Sequence, residues 1–412
     1  MISFQKHTLS NGLRIIIHQD KNTPLAAINL LYDVGARDED PNKTGFAHLF
    51  EHLMFGGSAN IPVYDRPLQK VGGENNAFTN NDITNYYITL PAENIETAFW
   101  LESDRMLSLA FSEKSLEVQR NVVIEEFKQN YLNQPYGDVW LLLRPLIYKS
   151  HPYRWATIGK EIAHIENATM PDVKDFFFKH YAPNNCVMTV AGNIKPDEII
   201  KLSEKWFGDI PNRSIPKRNL PIEEKQKADR FLEVKRNVPV DAIYKAWHIG
   251  GRVSPGYYAI DLISDILANG KSARLYNRLV KEKQLFSDIN AYISGDKDPG
   301  IIIITGNPSQ GVSLEQADNA IKLEVENLMS KKVSDYELQK VKNKVESSLL
   351  FSEVNVLNKA MNLAYFESLG DAGLINREAE KYQAVSSEDI RRVANEIFRT
   401  GNCSTLYYRS EI

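Results

Sequence analysis

The residue pattern calls for an α+β protein made of two homologous αβ domains. Each is a mixed, mostly antiparallel sheet with helices on one face, and the two are joined by a linker and related by a pseudo-twofold. An internal repeat points there first. Val34-Gly35-Ala36-Arg37 is answered by Ile249-Gly250-Gly251-Arg252, and Asn185-Cys186 by Asn402-Cys403. Between them, residues 48–54 (HLFEHLM) align with 261–267 (DLISDIL), keeping the apolar positions but not the His and Glu positions. The stretch 211–230 is rich in Pro, Lys, Arg and Glu and poor in apolar residues, so it reads as a linker between domains 1–210 and 231–412.

Each half reads strand, strand, helix, then further strands and helices. In the first half, 13–18, 26–32, 84–90 and 186–191 are apolar runs of strand length. In the second, 231–234, 242–247 and 301–305 read the same way. Longer patterns with helical spacing run through 98–109, 112–131, 314–329 and 334–367. The two cysteines fall at equivalent points of the repeat and read as small buried hydrophobes rather than a disulfide.

The most informative string is His48-Leu49-Phe50-Glu51-His52. On a helix, positions i and i+4 share a face, so the two imidazoles can close on one metal ion with Glu51 on the same side. The order H-x-x-E-H is the zincin motif reversed, in which histidines bind zinc and a glutamate activates water. Phe46, Leu49, Phe50, Leu53 and Met54 make the flanks apolar, where uncompensated polar groups are costly and a metal accounts for all three. A catalytic zinc takes a third protein ligand. The segment 121–127 carries Glu125 and Glu126 on an apolar helix whose buried stripe is Val123, Phe127 and Tyr131. Glu126 lies closer to that stripe and is the expected ligand; Glu125 is the expected surface acid.

Composition sets the limits. Of 412 residues, 43% are apolar and 25% charged, ordinary values for a globular chain with ample core. A net charge of −4 gives no basic face for nucleic acid. No apolar run reaches membrane-spanning length, no leader pattern opens the chain, and two cysteines fit a reducing compartment, so cytoplasm is the expected location. Asn269-Gly270-Lys271-Ser272 ends like a phosphate-binding loop but has Asp265 where that loop needs glycine.

These motifs resemble the pitrilysin/insulinase family of zinc peptidases. The H-x-x-E-H string, with a glutamate in a V-V-x-E-E setting some seventy residues on, is joined by Leu9-Ser10-Asn11-Gly12-Leu13-Arg14, Gly72-Gly73-Glu74-Asn75-Asn76-Ala77-Phe78-Thr79 and Tyr181-Ala182-Pro183-Asn184-Asn185-Cys186 in family order. The resemblance implies one Zn²⁺ per chain on His48, His52 and Glu126, Glu51 as general base, and peptide substrates. It implies that Asn76, Ala77 and Phe78 belong to an edge strand onto which an extended substrate adds. It places Gln119 where the family commonly has an outer-shell glutamate. It also implies an Arg/Tyr pair from the C-terminal half. Arg274, in Ala273-Arg274-Leu275, matches the arginine's setting, but 282–288 holds Phe286 and Ser287 and no tyrosine. The chain therefore looks like the zinc-bearing member of a heterodimer whose homologous partner brings Arg/Tyr, with a homodimer as the alternative. A non-catalytic family member and a metal-free peptide-binding module are the competing classes.

Overall fold

In the computed structural model, which describes residues 1–411, the apolar runs become two sheets. The first is built from β1 (Gln5–Thr8), β2 (Arg14–Gln19), β3 (Leu25–Tyr32), β4 (Glu74–Thr79), β5 (Thr84–Pro91) and β6 (Cys186–Gly192), in the order β1-β2-β6-β3-β5-β4. The second is built from β7 (Arg230–Arg236), β8 (Ala242–His248), β9 (Phe286–Ile293), β10 (Ile301–Pro308) and β11 (Cys403–Ser410), in the order β7-β11-β8-β10-β9. Apart from β1, strand follows strand in the same order in both. In each sheet one pair is parallel, β2 with β6 and β7 with β11, and the other pairs are antiparallel. The repeat seen in the residues is thus a repeat of topology.

Central strands are buried on both faces, which is why Ile15-Ile16-Ile17 and Ile301 to Ile304 are continuous rather than alternating. Edge strands differ. β4 alternates exposed and half-buried residues, and β9 carries Ser287, Asp288 and Asn290. Their polar pattern hid β9 from the strand expectations.

The chain forms two compact units, and neither is one uninterrupted half. The first comprises Met1–Leu132, Trp155–Pro221 and Leu350–Arg377; the second comprises Asn133–Arg154, Ile222–Leu349 and the chain from Glu378 on. Most helices cover one face of their sheet, and the other face takes a helix from the opposite half of the sequence. In the second unit, Val139, Leu143 and Ile147 of the helix Val139–Ile147, spaced i, i+4 and i+8, pack on Ala242, Ala246, Ile301, Ile303, Leu406 and Tyr408. In the first unit, the helix Val356–Ser368 sets Val356 and Ala360 on Ala27 and Ala191, and Leu363 and Ala364 on Ile16, Leu31 and Val187.

The helical pattern over 334–367 is therefore corrected to two helices, Asp335–Ser352 and Val356–Ser368. The break is made by Asn355, whose side-chain oxygen accepts from Leu357 N at 2.8 Å and starts the second helix. Apolar spacing continues across that cap, so periodicity alone could not show it. Residues 211–229 form no helix or strand. Arg213 holds the start of this segment in the first unit by donating to Phe177 O and Tyr181 O, and Glu223 accepts from Lys149, Ser150 and His151 amides in the second. Among the described residues no helix is long and apolar enough to cross a membrane.

Candidate metal centre

The helix Phe46–Leu53 has only eight residues and needs help to form. Gly45 opens it at φ 87°, and a Cβ there would meet Ile158 O at 2.6 Å, so both conformation and space require glycine. The buried Glu39 carboxylate caps the free amides, accepting from Gly45 N at 2.9 Å and Ala47 N at 2.8 Å. Phe46, Leu49, Phe50 and Leu53 are buried, with the Phe50 ring 4.3 Å from that of Tyr181. His48, Glu51 and His52 occupy the remaining, half-buried face.

The second helix, Glu113–Phe127, starts at Ser112, whose side chain accepts from Ser115 N, and buries Leu116, Val123 and Phe127. Glu126 stands beside that buried stripe and reaches the histidines. Its Oε2 is 3.7 Å from His48 Nε2 and 3.4 Å from His52 Nε2. Ligands about 2.0–2.1 Å from a tetrahedral zinc lie roughly 3.3 Å from one another, so these separations suit one ion. One donor atom from each of the three lies within 4.8 Å of the others, and among the described residues no other such group occurs. Burial pushes the His48 imidazole down to about 4, which keeps it neutral and its lone pair free at neutral pH. His48 Nδ1 is buried without a hydrogen-bond partner. The hydrogen bond with His52 holds the Glu126 carboxyl below its ordinary range. The donor set, two imidazoles and a carboxylate, is that of a hydrolytic zinc site.

Glu125 turns away, exposed and paired with Lys128 at 2.7 Å. Glu51 Oε2 accepts from Thr79 Oγ1 at 2.5 Å, and burial pushes its carboxyl above the usual range. Thr79 ends β4, which pairs with β5 alone and so leaves one edge open. On that strand the Asn76 side-chain oxygen accepts from Ala77 N at 2.8 Å, and Phe78 is exposed. Gln119 lies two turns before Glu126 on the same helix and is half-buried.

Arg274 belongs to the second unit, where its guanidinium makes a two-pronged pair with Glu337 at 2.8 and 2.7 Å. It borders a cavity of about 300 Å³ also lined by Asn277, Arg278 and Lys331. Glu337 is 63 residues away in sequence, and nothing in the local pattern announced it. Where the first half has His48 and His52, the repeat has Asp261 and Asp265. Asp261 accepts from Tyr382 OH at 2.5 Å, and Asp265 lies 3.4 Å from the Lys344 ammonium. The sequence reading missed Thr79 as a partner of Glu51 and Glu39 as the cap. Both are polar residues in ordinary settings whose role needs the tertiary contact.

Residues 14–140 match the family model for insulinase (peptidase family M16), and 167–345 match that for the peptidase M16 inactive domain. The zinc protease PqqE of Helicobacter pylori is 28% identical over 98% of this chain and 92% of its own length. The β subunit of the Saccharomyces cerevisiae mitochondrial-processing peptidase is 26% identical over 84% of this chain and 77% of its own length. The crystal structure of a protease from Helicobacter pylori superposes with a TM-score of 0.94 at 26% identity, over 99% of this chain and all of that one.

Proposed function

As the chain belongs to the M16 (pitrilysin/insulinase) peptidase family, we propose that it is a zinc-dependent endopeptidase of short or unfolded peptides. The observation that carries this reading is the convergence of His48, His52 and Glu126 within 4.8 Å on the face that also presents Glu51. These three residues would hold one zinc per chain. When bound, zinc supplies a Lewis acid that polarises the scissile carbonyl and lowers the pKa of water.

The chain's own groups supply the rest. Glu51 takes a proton from the attacking water and returns it to the leaving amine. The open edge of β4 takes an extended substrate through backbone hydrogen bonds, with the Asn76 side chain giving up Ala77 N–H as the substrate arrives. Backbone pairing tolerates many sequences, which favours unfolded or short peptides over one defined target.

The substrate grip from an Arg/Tyr pair belongs, in this reading, to a homologous subunit. Two observations favour that: the Arg274 guanidinium is already taken by Glu337, and 282–288 contains no tyrosine. A homodimer is the alternative assembly. A non-catalytic role is the second reading, favoured by the inactive-domain match over 167–345. Against it stands the intact set of ligand-type residues in the half that matches the insulinase model. Zinc content together with peptide hydrolysis by the wild type and Glu51→Gln separates the two. Zinc with Glu51-dependent hydrolysis supports the peptidase, whereas zinc-free protein, or zinc-bearing protein that hydrolyses no peptide, supports the non-catalytic role.

A further inference from the structure

We infer that Thr79 is a positioning residue for Glu51: its hydroxyl fixes one carboxylate oxygen and leaves the other to take the proton of water. The inference rests on Glu51 being the base. Thr79 Oγ1 donates to Glu51 Oε2 at 2.5 Å, and among the described residues no other side chain or amide hydrogen-bonds that carboxylate. Without this bond a three-torsion side chain on a half-open helix face has nothing to hold its orientation. A base must be oriented before its proton affinity is of use.

Thr79 is itself held from behind. Thr84, its register partner on β5, lies 3.5 Å away through Oγ1 and donates to Val34 O at 3.0 Å. With the Thr84 proton spent on Val34, Thr84 Oγ1 can only accept from Thr79, and at 3.5 Å it is a far weaker acceptor than the Glu51 carboxylate at 2.5 Å, so the Thr79 proton goes to Glu51. The turn between the two threonines is gripped by the Val34-Gly35-Ala36-Arg37 segment. Ala36 N donates to Asn80 O at 3.1 Å, Arg37 N to Asn81 O at 2.9 Å, and the Arg37 guanidinium meets Asp82 at 2.9 Å. A Cβ on Gly35 would come within 2.6 Å of Asn80 O. The Gly35-Ala36-Arg37 string therefore seats the end of β4 and, through Thr79, the base.

The internal repeat supplies an independent comparison. Asn76-Ala77 of β4 recurs as Asn290-Ala291 of β9, with the same bond from the alanine amide to the asparagine oxygen, 2.8 and 2.9 Å. In that register Thr79 corresponds to Ile293, and Glu51 corresponds to Ser264. The strand device is kept where the base is lost, but the threonine is not. Thr79 follows the glutamate, not the strand. Because it also stands on the strand whose edge is open, a peptide seated there acts on the residue that orients the base.

The test uses Thr79→Val, which keeps the shape and loses the hydroxyl, and Thr79→Ser, which does the reverse. In zinc-free protein, the infrared carboxylate band identified by its loss in Glu51→Gln should shift in Thr79→Val and return in Thr79→Ser. In zinc-loaded protein, Thr79→Val should lower kcat by about ten- to a hundredfold at unchanged zinc content, with KM within about twofold. Thr79→Ser should recover to within about threefold of wild type. An unshifted band in Thr79→Val, or wild-type kcat in Thr79→Val beside an inactive Glu51→Gln, overturns this inference alone. Full turnover by Glu51→Gln overturns the base assignment and this inference with it.

Discussion

His52 Nε2 and Glu126 Oε2 meet at 3.4 Å although 74 positions separate them in the chain, one on the helix Phe46–Leu53 and one on Glu113–Phe127. Neither helix closes the site alone. A metal bound there ties the two together, so zinc and local order should be lost together. Purified wild type is expected to carry about one zinc per chain by elemental analysis, since no second group of ligand-type residues converges among those described. His52→Ala should lose it, leaving one imidazole and one carboxylate, too few for a stable site. Full occupancy in His52→Ala would place the metal elsewhere.

Glu51→Gln should keep the zinc and lose turnover. The amide preserves the size of the side chain and can still accept the Thr79 hydroxyl, but it cannot take a proton from water. A loss of at least about a hundredfold in kcat with normal zinc content is the expected result. Zinc analysis and peptide hydrolysis on one preparation check it, and hydrolysis at the wild-type rate would remove Glu51 from the base role.

Part of this could be read from residues alone, for physical reasons that differ by element. The helix with His48 and His52 was legible because i, i+4 spacing is local and its apolar flank is strong. Central strands were legible because burial on both faces makes them continuous Ile and Val runs. The edge strand β9 was not, since one free edge and one solvated face leave a polar string that looks like loop. The break at Asn355 was hidden because apolar residues continue on both sides of the cap. The Glu337 partner of Arg274 and the Thr79 partner of Glu51 are contacts between elements, and no local pattern encodes them.

A buried charge network behind the site should dominate the stability of the first unit. Arg105, 1% exposed, makes a two-pronged pair with fully buried Glu102 at 2.8 and 2.6 Å. Tyr64 OH also donates to Glu102, and the guanidinium lies 4.4 Å from the centre of the Tyr86 ring. Glu102→Gln leaves that guanidinium without its counter-charge in a dry site. The expected cost is about 3–5 kcal/mol, read as a lower denaturant midpoint. A loss below about 1 kcal/mol would mean that the aromatic rings alone suffice to hold the charge.

Stability should also fall in acid through Asp20. Its Oδ2 accepts from Lys359 Nζ at 2.6 Å, and that bond holds the carboxyl below its ordinary range. The unfolded chain then takes up the proton first as pH falls. The stabilisation is therefore complete above the unfolded value, about 3.9, and is lost as pH drops through the lower folded value. Lys359→Met should cost about 1–3 kcal/mol at pH 7, and the gap to wild type should start to narrow below about pH 4 and close as pH falls through the lower folded value. Equal gaps at both pH values in urea unfolding would assign the effect to packing of the helix Val356–Ser368 instead.

The assembly gives the last expectation. An Arg/Tyr pair that grips the substrate and the developing oxyanion has to come from somewhere. In this chain Arg274 is engaged by Glu337, position 286 is a buried phenyl ring at the start of β9, and Ser287 Oγ donates to Asn307 O. None of these offers a phenol. The chain by itself should therefore hydrolyse peptides slowly. Adding a homologous subunit with an intact Arg/Tyr pair should raise the rate by about a hundredfold, since one oxyanion donor is worth roughly 3 kcal/mol. Substituting that subunit's tyrosine by phenylalanine should remove most of the gain. Fast turnover by the pure chain, with no companion in the preparation by mass spectrometry, would favour the homodimer and leave the zinc ligands as assigned.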